Sequence, residues 1–195
     1  TEGWGGHRAS KAWYGLYGDL ATTTDDRAKL FWTTGHNFEM TDYKEWTDGY
    51  PSTKFRNTNF SGSSVPSSFS STDFPLFRLA DAYLMYAECA VKGSSEADIA
   101  TAVGYVNNLR TRSNATTINA ADLQGTESNG LPFIINERGR ELNLEGHRRT
   151  DLIRYNLFTG NTYLWPWKGG IKDGTSIPST YNVYRIPSSA LQATP

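Results

Sequence analysis

The sequence predicts a mainly α-helical protein with irregular loops and few short strands. Three observations carry that expectation. Residues 137–154 (ERGRELNLEGHRRTDLIR) space Glu137, Glu141 and Glu145 four apart. Residues 76–109 hold two apolar stripes at helical spacing on either side of a short Gly-Ser turn. The remaining stretches are rich in aromatic, serine and glycine residues, the composition of loops.

Length and charge bound what any motif can mean. A chain of 195 residues can bury a core in one domain or in two unequal parts. Its 19 Lys and Arg against 20 Asp and Glu leave a net charge of −1, so nucleic acid is not an expected partner. No run approaches the roughly 20 apolar residues of a membrane helix, and no basic start followed by an apolar run marks a signal peptide. The opening Thr1-Glu2-Gly3 has no initiator methionine, which reads as a processed or excised piece of a longer protein. The single cysteine, Cys89, cannot form an internal disulfide, and its place in an apolar helical stripe makes it a buried structural thiol.

Taken in order, residues 1–60 carry twelve aromatics but only four larger aliphatics, Leu16, Leu20, Leu30 and Met40. Residues 10–20 read as a short helix with Trp13, Leu16, Tyr17 and Leu20 on one stripe; residues 29–33 read as a strand and residues 41–51 as a turn-rich loop. Residues 61–72 are serine-rich and cannot pack. Asp73 then reads as an N-cap with Pro75 in the first turn of a helix ending at Gly93. A second helix follows from Ser95, with Asp98 in a variant capping box and Ile99, Ala102, Val103, Val106 and Leu109 facing inward. Together they form a hairpin of about tetratricopeptide-repeat length. One such unit cannot bury both of its faces, so other segments or further repeats must cover it.

Residues 114–130 read as loop, with one helical turn at residues 120–123. Pro132 opens the helix around which the chain is organised, and Gly146 marks its expected end. Three carboxylates on one face repel one another, so the ladder demands cations. Arg78, Arg110, Arg112, Arg138, Arg140, Arg148, Arg149 and Arg154 are available, and an ion network that also includes Asp151 is expected to clamp several helices together. Gly139 in mid-helix costs about 1 kcal/mol relative to alanine, which close approach of another backbone would offset. A second short helix is expected over residues 148–158, before an irregular tail holding Trp165-Pro166-Trp167 and an extended stretch at residues 181–187.

Two chemical readings of the ladder are open. Glu137 and Glu141 could serve as the acid and base of a glycoside hydrolase, but surrounding arginines would hold both ionised and unfit as general acid. Glu145, His147 and Asp151 could ligate a metal, but Gly146 breaks the helix between the first two. Scaffolding is therefore the preferred role, with no metal and no cofactor expected. His7 and His36 stand without a second ligand or nucleophile, and read as surface or turn residues. Binding remains. A sugar offers a C–H face ringed by hydroxyls, which an exposed aromatic ring with polar neighbours can grip. Trp4 in a glycine-flanked loop, with His7 and Arg8 close behind, supplies that combination, and Trp46 and Tyr50 could widen the platform. Trp13 and Trp32 read as core, and Trp165 and Trp167 as sealing the tail onto the helices.

Several charged motifs then fall in a fixed order: Arg78-x-Ala80-Asp81-x-x-Leu84-x-x-Ala87-Glu88, Asn107-x-x-Arg110-x-Arg112, Glu137-Arg138-x-x-Glu141-Leu142-x-x-Glu145-Gly146-x-Arg148-x-x-Asp151-Leu152-x-Arg154, and Tyr184-x-Ile186-Pro187. In this the chain resembles the C-terminal portion of SusD/RagB family proteins, from about Phe74 to Pro187. The resemblance implies a SusD-like fold and a parent protein that is an outer-membrane lipoprotein on the surface of a Gram-negative cell. It also implies a SusC-like TonB-dependent transporter as partner and a glycan or other nutrient as cargo. The lipid-bearing cysteine is absent from this sequence, so membrane attachment is an implication for the parent alone. Residues 1–73 are expected to form an aromatic-rich, loop-rich segment and residues 74–195 the SusD-like helical region, packed as one unit. A hydrolase and a repeat-type protein interaction module are the alternatives.

Overall fold

The computed structural model describes residues 7–59, 61–63, 70 and 72–193. Trp4 lies outside the described residues. The helices are α1 (Lys11–Tyr14), α2 (Leu79–Val91), α3 (Ile99–Arg112), α4 (Ala120–Gln124), α5 (Phe133–Glu141), α6 (Arg148–Arg154) and α7 (Ser188–Ala193). Short 3-10 segments stand at Gly15–Tyr17, Asp26–Leu30, Lys168–Gly170 and Ser179–Asn182. Among the described residues, β-structure is confined to isolated bridges such as Ala9 with Tyr50 and Phe31 with Ser52. The expected mainly helical fold is therefore present. By internal contacts the chain divides into two units, Thr1–Arg148 and Arg149–Pro195.

In the first unit, α2 and α3 form the hairpin, with Leu84, Ala87, Ala102 and Val106 buried. Asp98 caps α3 by accepting from Thr101 N at 2.8 Å. Helix α5 is buried at every residue. Gly139 lets Leu16 and Arg148 come close: an added Cβ would lie 3.0 Å from Leu16 Cδ1 and 3.1 Å from Arg148 Nη1. The neighbours are thus side chains, not the backbone that the sequence suggested. A second core collects Tyr14, Tyr17, Ala28, Phe31 and Tyr50.

Several boundaries differ from expectation for tertiary reasons. α2 begins at Leu79, not near Asp73, because Arg78 is extended (φ −149°, ψ 155°) so that its guanidinium can reach Glu141 and Glu145. α5 stops at Glu141, a turn before Gly146. There Arg78 donates to the Glu141 carbonyl at 2.7 Å, and Lys54 donates to the carbonyls of Glu141 (3.1 Å) and Asn143 (2.7 Å). Cations take the terminal carbonyls, and Leu144 turns into the left-handed region at φ 58°. Residues 29–33 contribute a bridge at Phe31 rather than a strand. Cys89 faces solvent on α2, so it is not a buried thiol.

In the second unit, α6 ends at Arg154, and Leu157 N closes the turn on Leu152 O at 2.8 Å, where the sequence had extended the helix to residue 158. Trp165 stacks on Phe158 with centroids 6.0 Å apart. The buried Lys168 ties the tail together by donating to the carbonyls of Gly160 (2.8 Å) and Tyr163 (2.7 Å).

Candidate functional site

Two constellations hold the residues singled out from sequence, and their chemistry differs completely. The first is the carboxylate ladder. Glu137 is 0 % exposed. It accepts from Arg27 at 2.9 Å, Arg110 at 2.7 Å and Arg140 at 2.7 Å. Glu141 accepts from Arg78 at 2.7 Å, Arg112 at 2.8 Å and Arg27 at 3.1 Å. Glu145 accepts from Arg78 at 2.6 Å and from Lys54. Burial pushes the Glu137 carboxyl up, but Arg140, Arg27 and Arg110 outweigh it and hold it down at about 2. Glu141 and Glu145 are likewise held below the usual carboxylate range against the effect of burial, by Arg112 and Arg78 for the first and by Arg78 and Lys54 for the second. Carboxylates so enclosed and so firmly ionised have neither access to a glycosidic bond nor a proton to give.

Other predicted members of the network pair elsewhere. Arg138 pairs with Asp81 at 3.0 Å, Arg148 donates to the Ile135 carbonyl at 2.7 Å, and Arg154 pairs with Asp151 at 3.0 Å within the second unit. The sequence reading of the network left out Asp25, Arg27, Lys54, Asp81 and Glu127; Asp25 accepts from Arg27 at 2.7 Å and Glu127 from Arg140 at 2.6 Å. Arg27 and Lys54 come from the loop-rich first sixty residues, and no local pattern marks them.

The second constellation is an exposed aromatic loop in the first unit. Trp46 is 44 % and Tyr43 56 % exposed. The Arg8 guanidinium lies 5.4 Å from the Trp46 ring centroid. It is fixed there by donating to the carbonyls of Asp48 (2.7 Å) and Tyr43 (2.6 Å). His36 meets Trp46 edge-on at 5.1 Å, and its Nδ1 bonds the Gly49 carbonyl at 2.9 Å; a carbonyl only accepts, so Nδ1 carries the proton. Asp48 is the hub beneath. Its carboxylate accepts from Thr41 N and Oγ1 (both 2.7 Å), Asp42 N (2.9 Å) and Asn37 Nδ2 (2.9 Å), and these bonds hold it well below the usual carboxylate range. Gly49 follows at φ 76°, where a Cβ would sit 2.5 Å from Ala9 O and 2.5 Å from Met40 Cε.

Of the binding residues expected from sequence, Arg8 and Trp46 are therefore brought together, and His7 is exposed beside Arg8. Tyr50 is 9 % exposed and packs against Tyr14 at 4.3 Å, as a core ring rather than an open platform. It still borders a cleft of about 480 Å³, with Phe31, Phe38, Asp19, Lys29 and Thr33 among the other walls. The sequence reading missed His36 as a partner of Trp46, and it placed Trp32 in the core. Trp32 is 58 % exposed, its Nε1 donating to the Thr34 carbonyl at 3.0 Å.

Comparison with known proteins agrees with the charged motifs. Residues 18–193 match the SusD family. The chain is 39 % identical over 169 residues to "Starch-binding protein SusD" of Bacteroides thetaiotaomicron, a match covering 85 % of this chain and 28 % of that protein. It is 38 % identical over 105 residues to "SusD-like protein P25" of Formosa agariphila, covering 47 % of this chain and 19 % of that protein. The chain thus spans less than a third of the length of either relative. With a family match running over nearly the whole sequence and helices carrying the ordered Arg and Glu motifs, this chain belongs to the SusD family.

Proposed function

We propose that this chain contributes to non-catalytic capture of a glycan at the bacterial surface, for delivery by the parent protein to a SusC-like TonB-dependent transporter. The observation that carries the reading is the Trp46 ring, left open to solvent while Arg8 and His36 hold it in place. A ring ordered before binding loses little freedom when a pyranose C–H face lies on it, and hydroxyls at the sugar rim find polar partners in the same loop. His7 and Trp4 belong to the same expectation. Starch, which the first relative's name specifies, is the first ligand to try.

Titration of the chain with soluble starch, and with neutral and uronic polysaccharides beside it, tests the reading. Trp46→Ala is expected to weaken binding of the preferred glycan about tenfold, ~1.4 kcal/mol, with unchanged thermal stability. Unaltered affinity in that variant would sink the proposed site.

A further inference from the structure

The second unit repeats, with different residues, the construction seen around Trp46. A run of cations and rings begins inside it: Lys168 Nζ lies 4.6 Å from the Trp165 centroid, and Trp165 stacks on Phe158 at 6.0 Å with planes 24° apart. Arg149 continues the run, its Cζ 5.0 Å from the Phe158 centroid and 4.1 Å from that of Tyr184. The run ends at Tyr184, which is 80 % exposed. A guanidinium covers only one face of a phenol ring, so the other face of Tyr184 is open. Arg149 is itself anchored, its Nη2 donating to the Tyr181 carbonyl at 2.6 Å. In both units an arginine whose donors are taken by backbone carbonyls near the ring holds that ring from behind.

That construction suits a flat ligand with an apolar face and a polar edge. Cation–π contact on the inner face fixes the ring and leaves its outer π-surface for C–H groups. Tyr184 carries a hydroxyl at the ring's edge, and Tyr181, whose carbonyl holds Arg149, is itself 59 % exposed. We propose that Tyr184 is a second glycan contact, taking one pyranose ring of a polysaccharide independently of the Trp46 loop. The proposal borrows its ligand class from the reading of that loop, but not its site.

Affinity electrophoresis through gels containing soluble starch separates the possibilities. The expected result is that Tyr184→Ala weakens retardation about threefold, that Trp46→Ala weakens it further, and that the double variant runs as it does in a starch-free gel. Tyr184→Phe, which keeps the ring, is expected to be retarded like the unaltered chain. Tyr184→Ala running like the unaltered chain overturns the second contact while leaving the loop site standing. A loss in Tyr184→Ala with none in Trp46→Ala overturns the loop site and keeps this one. Tyr184→Phe losing as much as Tyr184→Ala overturns the stacking argument, as would capture of a protein partner by this surface with no effect of Tyr184→Ala on starch. Absence of retardation for the unaltered chain overturns both readings. Because the side chain is exposed, melting temperature should not move in any of these variants.

Discussion

At the scale of single residues, the decisive group is Glu137, an ionised carboxylate with no exposed surface and three arginines on it. Its role follows from what its loss would leave behind. Glu137→Gln keeps the volume but leaves Arg27, Arg110 and Arg140 short of one counter-charge in a dry site, a change that typically costs about 3–5 kcal/mol. Urea unfolding should show that loss as a lower midpoint with an unchanged slope; a change under about 1 kcal/mol would mean that the pairs are replaceable. Gly49 is the second telling position. At φ 76° with a backbone oxygen 2.5 Å from its would-be Cβ, Gly49→Ala must shift the bridge between Ala9 and Tyr50. Glycan affinity is then expected to fall as it does in Trp46→Ala, although residue 49 carries no side chain able to touch a sugar. Full affinity in Gly49→Ala would show that the loop geometry does not matter.

At the scale of elements, what was legible in the sequence was what is decided locally. Asp98 before an apolar stripe announced α3, because an N-cap binds its own chain a few residues on; the turn expected at residues 120–123 is α4, and its cap, Asn119, is seen only in the structure. Removing the first, Asp98→Ala, should cost about 1 kcal/mol in thermal or urea unfolding, and a neutral result would make the cap ornamental. The start of α2 and the end of α5 were not legible: Arg78 is held extended by its pairs with Glu141 and Glu145, and Arg78 and Lys54 take the carbonyls at the end of α5. The binding loop was half legible. Glycine-flanked and loop-borne aromatics pointed to Trp46, but nothing near it in sequence places Arg8 behind its ring or His36 at its edge. Exposure was misjudged for Trp32 and Cys89 for the same reason: a stripe or a ring type says that a residue could be buried, and only the assembled neighbours decide whether it is.

At the scale of the whole molecule, the ladder makes the first unit's stability a function of pH. Glu137 sits at about 2 in the folded protein against an ordinary value of 4.5, and Glu141 and Glu145 are shifted in the same direction. Below 4.5 the unfolded chain takes up protons that the folded one refuses, so stability is full above that pH and drains away as the pH falls towards 2. For Glu137 alone the difference corresponds to about 3 kcal/mol. Because the pairs are enclosed, sodium chloride at 1 M should leave stability at pH 7 nearly unchanged, where exposed pairs would be screened. Amide exchange in α5 reads both effects on this unit directly. Its protection should hold from neutrality down to about pH 5 and then fall steeply, and the fall should shrink in Glu137→Gln, which has lost the titrating group. In the second unit the titrating group of interest is Lys168, whose pKa burial depresses. A cation so desolvated disfavours the folded state where it is protonated, so amides around Gly160 and Tyr163 should gain protection as the pH rises towards 10. An identical acid-side profile in both units would show that the ladder is not what sets the first unit's sensitivity.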